Sequence, residues 1–299
     1  MIEYQAESWL RTTLAFRGAV LPQVLGRVGL LTGFCLLLCL LDDYVFERYA
    51  YPLPSLDQLG HTVLGVAMSM LIVFRTNSSN NRYWDGRTFW GALVNGSRNL
   101  ARMASRFSPP ADDLARLISA YAIAVRETLR GTFETRCIAS LVPGRLASRA
   151  ATASNPPSIL AAAISDWINE RRIDGRIDGF QALAMEQTLN AMVDAQGGCE
   201  RIQKTPLPFV YVTLIRQLLL IYLASLPFVL VGRMGYAAPL VVAVVSFGML
   251  GIEEAGAEIE RPFGVDPNCL PLEQICTTIA RDAALLCSST ENAGSPVGS

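Results

Sequence analysis

The sequence predicts an all-α protein in which membrane helices continue into a helical cytosolic region. Of its 299 residues, 51% are hydrophobic and only 17% are charged, well below the roughly 25% charged share usual in soluble domains. The apolar residues gather into four runs, at 28–41, 59–74, 209–231 and 236–252. Each is near, or extendable to, the roughly 20 residues that cross a bilayer as a helix. Elsewhere hydrophobic residues recur at helical spacing, and no alternating strand pattern of useful length occurs.

Arg11, Arg17 and Arg27 precede the first run, which is followed by Asp42 and Asp43 instead of a small-residue cleavage site. It therefore reads as a retained segment and not a cleaved signal. Extended through "DDYVF", it is long enough to span. The second run carries His61, Thr62 and Ser69, and leads into "VFRTNSSNNRYWDGR", where Gly86 is the only helix breaker. One helix is thus expected to leave the membrane and continue without a loop. The middle region reads as helices at 88–107, 111–131, 158–172 and 179–202, with a loop at 149–158. The first of these stops at Pro109-Pro110, and the second opens on acids and closes on Arg130-Gly131, as helix polarity favours. The third run holds Arg216 and Gln217 near its start, and the fourth is clean until Glu253 and Glu254.

Short loops join the first run to the second and the third to the fourth, while about 130 residues separate the two pairs. Two membrane hairpins around one large extramembrane region follow. Lys and Arg crowd the flanks of that region and the N-terminus, whereas the short loops hold only Arg48 and Arg233, so both termini and the middle region are expected in the cytoplasm. The division is 1–75 for an N-terminal segment and the first hairpin (spans about 25–46 and 56–75), then 76–207 for a cytosolic helical domain. A second hairpin occupies 208–256 (spans about 208–231 and 236–254), a cytosolic C-terminal helical segment 257–287, and a disordered tail 288–299.

Charge and motif content exclude several functions. With 25 basic and 26 acidic residues the formal net charge is −1, so no global field recruits nucleic acid. Seven cysteines without C-x-x-C spacing argue against structural disulfides and zinc. His61 is the single histidine. No nucleophile elbow, phosphate loop or HExxH motif occurs, so neither an enzyme nor a metal or other cofactor is expected. After the turn at 261–264 only Asp266 and Asn268 offer oxygen ligands, too few for a calcium loop.

The sharpest pattern lies in the second run, where Thr62, Val66, Met70, Phe74 and Ser78 recur every fourth residue as one gently winding stripe. Gly60, Gly65, Ala67 and Ser69 would let neighbouring helices approach. Such a stripe can line an aqueous path and gate it by dewetting; from spacing alone, an ordinary lipid-facing or buried stripe is the more frequent case. Four helices of one chain cannot enclose such a path, so lining one requires a homo-oligomer. Asp57 would ring the outer mouth and concentrate cations, or serve as a helix N-terminal acid behind Ser55 as N-cap. Arg216 is expected to pair with Glu253, Glu254 or Glu258, because a lone guanidinium in hydrocarbon is costly. Arg82 and Asp85, with Trp84 and Arg87, are expected to pair and stack between helices and subunits.

Four blocks, "FRTNSSNNRYWDGR", "FWGALVNGSRNLAR", "GGCERIQKTPLPFVY" and "GIEEAGAEIERPFG", resemble in order the signature blocks of bacterial bestrophins over about residues 20–285. The resemblance implies a homopentameric ion channel around a central pore in the bacterial inner membrane. The second membrane helix would line a constricted neck, cytosolic helices would enclose a vestibule, and a second aperture would close its cytosolic end. The neck falls on Val66, Met70 and Phe74, which the stripe also selects. The aperture falls on Phe180, or on Leu183 or Ala184 in another register. The resemblance further implies a permeant monovalent cation, sodium especially, with which Asp57 is compatible. An anion channel of the same fold and a non-conducting membrane scaffold or sensor are the alternatives. Animal members carry a calcium-binding run of acids after the corresponding Asn-Pro-Phe-Gly turn; here Arg261 replaces that Asn and "VDPN" the acids, so calcium gating is not expected.

Overall fold

A computed structural model describes residues 19–46 and 54–288, in which the chain is helical and carries no β-strand. Arg11, Arg17, Arg48 and all of the expected tail except Ser288 lie outside the described residues. The helices are α1 (Leu21–Leu41), ending in a π-helical turn, α2 (Gln58–Phe107), α3 (Asp112–Arg130), α4 (Gly144–Thr152), α5 (Pro156–Ile173), α6 (Gly179–Lys204), α7 (Phe209–Met234), α8 (Ala238–Ile259) and α9 (Leu272–Cys287). Contacts divide the chain into two compact units. One comprises Met1–Tyr83, Pro206–Pro262 and Asp266–Cys269, and the other Trp84–Thr205, Phe263–Val265 and Leu270–Ser299.

In the first unit, three continuous helical stretches are long and apolar enough to cross a membrane: Leu21–Tyr44, the stretch opening α2, and Phe209–Ile259. The last reverses direction at a 3-10 turn, Gly235–Ala237, where Gly235 takes φ 51°, a conformation open to glycine at little steric cost. As a result Arg216, near the start of α7, meets Glu253, near the end of α8, at 2.8 Å. The apolar core draws Leu31 and Cys35 from α1, Met68 and Ile72 from α2, Leu219 and Leu223 from α7, and Val242 from α8.

One buried charge cluster joins α2, α7 and α8. Arg75 and Glu253 are only 2% and 3% exposed. Arg75 Nη1 donates to Glu253 Oε1 at 2.6 Å and to the Glu253 carbonyl at 3.1 Å. The same Oε1 accepts from Arg216 Nε at 2.8 Å, and Glu260 lies 3.6 Å from Arg75. Close approach of α8 is possible because residue 256 is glycine: a Cβ there would sit 3.3 Å from Thr76 Oγ1. At an outer position Arg27 pairs with Glu254 at 2.8 Å.

In the second unit α3 packs against α5 and α9, and α5 against α6. Gly131 closes α3 at φ 71°, and Arg130 holds the adjoining turn by donating to the carbonyls of Phe263 and Gly264. Tyr121 donates to Gln196 Oε1 at 2.9 Å, and Gln196 in turn donates to Glu200 at 2.7 Å and Asn155 at 3.1 Å. Burial works to raise the Glu200 pKa, but hydrogen bonds from Gln196, Lys204 and Asn155 outweigh it and hold the carboxyl below its ordinary range. α2 and α6 approach closely at Gly198, where a Cβ would lie 2.5 Å from the Phe89 ring.

The expected loop at 149–158 shrinks to 153–155. Residues 149–152 complete α4, which buries Ala147 and Ala150. Pro156 and Pro157 open α5, where proline costs no hydrogen bond, and Asn155 caps it by accepting from Ser158 N at 3.2 Å.

Two substitution pairs test this packing. Glu253→Ala leaves two guanidinium groups without their carboxylate and is expected to cost about 3–5 kcal/mol. Glu254→Ala, which breaks an exposed pair, should cost under about 1 kcal/mol; thermal unfolding in detergent reads both. Gly198→Ala drives a methyl into Phe89 and should destabilise by about 1–3 kcal/mol. Gly197→Ala, with nothing within 4 Å, should instead stabilise by up to about 1 kcal/mol through helix propensity.

Candidate functional site

The sequence-selected stripe occupies the open side of α2. Val66, Met70 and Phe74 are 67%, 59% and 51% exposed, whereas Met68, Ile72, Arg75 and Ser79 are buried on the other side. Three large apolar groups thus stand one turn apart, each more than half exposed. The hydroxyls that bracket them turn back to the helix: Thr62 donates to the Gln58 carbonyl at 2.8 Å and Ser78 to the Phe74 carbonyl at 3.0 Å. Ser69 does the same to Gly65 at 2.9 Å. Such back-bonding satisfies the side-chain donors of Thr62, Ser69 and Ser78 within the helix itself.

The start of α2 corrects one expectation. Asp57, not Ser55, is the cap, since Asp57 Oδ2 accepts from Gly60 N at 2.9 Å, which satisfies one of the unpaired donors at a helix start. Nearby, His61 is buried against the Tyr222 ring, with centroids 4.4 Å apart, and its Nε2 lies 3.2 Å from Ser225 Oγ. Gly65 makes room for that tyrosine, because a Cβ there would meet Tyr222 Oη at 2.7 Å. Of the small residues expected to admit a neighbour, Gly65 does so directly, while Gly60 faces only the Asp57 side chain at 3.7 Å.

Phe180 sits at the second position of α6 and is 85% exposed. A capping box fixes that helix start: Asp178 accepts from Gln181 N at 2.8 Å while Gln181 accepts from Asp178 N at 3.0 Å. Leu183 is exposed on the same face and Ala184 is half-buried. The ring is therefore presented outward from a rigid position.

Among the expected pairs, Arg216 meets Glu253, whereas Glu254 turns to Arg27. Arg82 Nε donates to the Glu260 carbonyl at 3.3 Å, and Asp85 is exposed. Arg75, buried and paired with Glu253, is the residue that the sequence reading did not single out. Its 4-3-4 spacing with Met68, Ile72 and Ser79 was the available signal of an inward face.

Three cysteines of the second unit are packed inside it. Burial pushes Cys199 and Cys276 up to about 12 and Cys287 to about 11, so these groups are protonated packing residues at neutral pH. Among the described residues no three His, Cys, Asp or Glu side chains converge as metal ligands.

Residues 1–284 match the family described as Bacterial/Fungal Bestrophin protein. A voltage-dependent anion channel-forming protein of Synechocystis sp. is 35% identical over 279 residues, covering 91% of this chain and 89% of that protein. One of Nostoc sp. is 34% identical over 293 residues, covering 95% and 93%. The crystal structure of a bacterial bestrophin homolog from Klebsiella pneumoniae aligns with a TM-score of 0.82 at 25% identity, covering 88% of this chain and 98% of that one. With the match running nearly end to end and the helical fold shared, the chain belongs to the bacterial and fungal bestrophin family.

Proposed function

We propose that the chain is one subunit of a homopentameric ion channel in the bacterial inner membrane, with Val66, Met70 and Phe74 forming its neck. The observation that carries this reading is the exposed apolar stripe on a helix whose opposite side buries Met68, Ile72, Arg75 and Ser79. Copies of α2 arranged about an axis would bring those side chains into rings, and such rings gate by dewetting. Residues 1–75 and 208–256 form the two membrane hairpins, and 76–207 and 257–287 the cytosolic helices, with both termini in the cytoplasm. The exposed ring of Phe180, held by the capping box, supports it as the cytosolic aperture, with Leu183 and Ala184 behind it on the same face.

For selectivity, anion conduction takes precedence over the sodium conduction expected from the sequence. Relatives of Synechocystis and Nostoc carry names as anion channel-forming proteins. The Asp57 carboxylate, which was compatible with cations, is engaged as a helix cap. The neck side chains are uncharged and favour neither sign.

Purified protein in planar bilayers under a NaCl gradient should give a reversal potential shifted toward the chloride equilibrium potential. A shift toward the sodium potential would reinstate the cation reading, and current no higher than in protein-free bilayers would favour the non-conducting scaffold. In the same recordings Phe74→Ala should raise single-channel conductance by widening and wetting the neck. An unchanged current would remove Phe74 from the narrowest point, and a subunit mass other than five chains would overturn the pentamer.

A further inference from the structure

The membrane-helix unit contains a cavity of about 370 Å³ bounded by α1, α7 and α8, within the size range of small-ligand sites. Its wall is made of leucines except at one end, where Arg27, Arg216 and Glu253 line it. That polarity follows from helix direction. α1 and α7 run parallel, since Arg27 and Arg216 share this cavity while Phe34 and Phe228, farther along each helix, meet with ring centroids 6.1 Å apart. Arg27 precedes Leu30 by one turn and Arg216 precedes Leu220 by one turn, whereas Glu253 follows Leu250 on the returning α8. All three charged groups therefore gather at the same end, and the exposed Leu30 and Leu220 flank the apolar remainder.

At the charged end Arg27, Arg75 and Arg216 are balanced by Glu253, Glu254 and Glu260, but the groups that face outward are guanidinium groups: the side chains of Arg27 and Arg216 are 56% and 54% exposed, those of their partners Glu254 and Glu253 only 21% and 3%. The Glu253 carboxylate is already shared by Arg75 and Arg216. Arg27 uses Nη1 on Glu254 and Arg216 uses Nε on Glu253, both at 2.8 Å, and both side chains remain more than half exposed. A guanidinium has five N–H donors, so two arginines present spare donors beside an apolar groove. Phosphate oxygens match such donors, and the basic flanks read as cytoplasmic face the leaflet that carries anionic lipid.

We propose that this groove binds an anionic phospholipid of the cytoplasmic leaflet, its phosphate held by Arg27 and Arg216 and an acyl chain laid along Leu30 and Leu220. The proposal rests on the membrane-spanning reading above. The test is native mass spectrometry of the full-length protein taken from bilayers of equal parts phosphatidylglycerol and phosphatidylcholine with identical acyl chains. Phosphatidylglycerol should be retained over phosphatidylcholine by about tenfold, because both offer the same phosphate but the choline of phosphatidylcholine sets a second cation beside the exposed guanidinium groups. Arg27→Gln should abolish the preference and Arg27→Lys largely keep it, while Leu220→Trp, which fills the groove, should reduce retention of both lipids. Equal retention by the parent, an Arg27→Gln variant that keeps the preference, or a Leu220→Trp variant that retains lipid as before would each overturn the site. A groove covered by a second copy would show as no retained lipid. Ion flux measured in phosphatidylcholine liposomes separates the two readings: flux without lipid preference overturns this site alone, and lipid preference without flux overturns the channel alone.

Discussion

The rest of the membrane-helix packing depends on one carboxylate shared by two arginines. Glu253 accepts from Arg75 and Arg216 on a single oxygen, and both it and Arg75 are withdrawn from solvent. Taking these charges out of water is expensive, and their mutual attraction repays the cost only with good geometry. The cluster therefore does more to orient than to stabilise. An α-helix turns by about 100° per residue, so seating Arg75 inward sends Val66 to the opposite side, about 180° away, with Met70 at about 140° and Phe74 at about 100°. The stripe faces outward because Arg75 faces inward.

Most of the helical architecture was legible because it is written in local periodicity. The four apolar runs correspond to α1, the start of α2, α7 and α8, and the stripe of every fourth residue on α2 needed no partner to be seen. What stayed hidden depends on residues distant in sequence. Arg75 follows an apolar run, and a guanidinium there looks like a boundary marker until its acceptor, 178 residues away, is brought beside it. The same reasoning explains Glu254, whose choice of Arg27 over Arg216 is decided by the packing of α1 against α8. At the start of α2, Ser55 and Asp57 are both good capping residues by type, and only the backbone path chooses between them. The segment 149–158 misled for another reason: its Ala, Ser, Asn and Pro content suits a loop, yet the buried Ala150 and the capping Asn155 use the same residues to end one helix and start the next.

The unbroken passage of α2 through its polar run has a local cause that bears on how the proposed neck would work. Thr76 and Ser78 donate to the carbonyls of Ile72 and Phe74 at 2.9 and 3.0 Å, so these hydroxyls are satisfied whether the surroundings are wet or dry. Thr62 at the other end of the stripe behaves alike. The apolar side chains of the stripe then run from Val66 to Phe74, a rise of about 12 Å at 1.5 Å per residue, and the one hydroxyl in between, Ser69, donates to the Gly65 carbonyl. An ion crossing so short a stretch loses hydration only briefly, and a dry wall without charge resists either sign. Arg75, the nearest charge, is turned into the packed side and paired, so it does not project beside Phe74. In the proposed channel the neck accordingly sets whether ions pass, and the sign of the ion that passes is set by charges lying outside the segment from Val66 to Phe74.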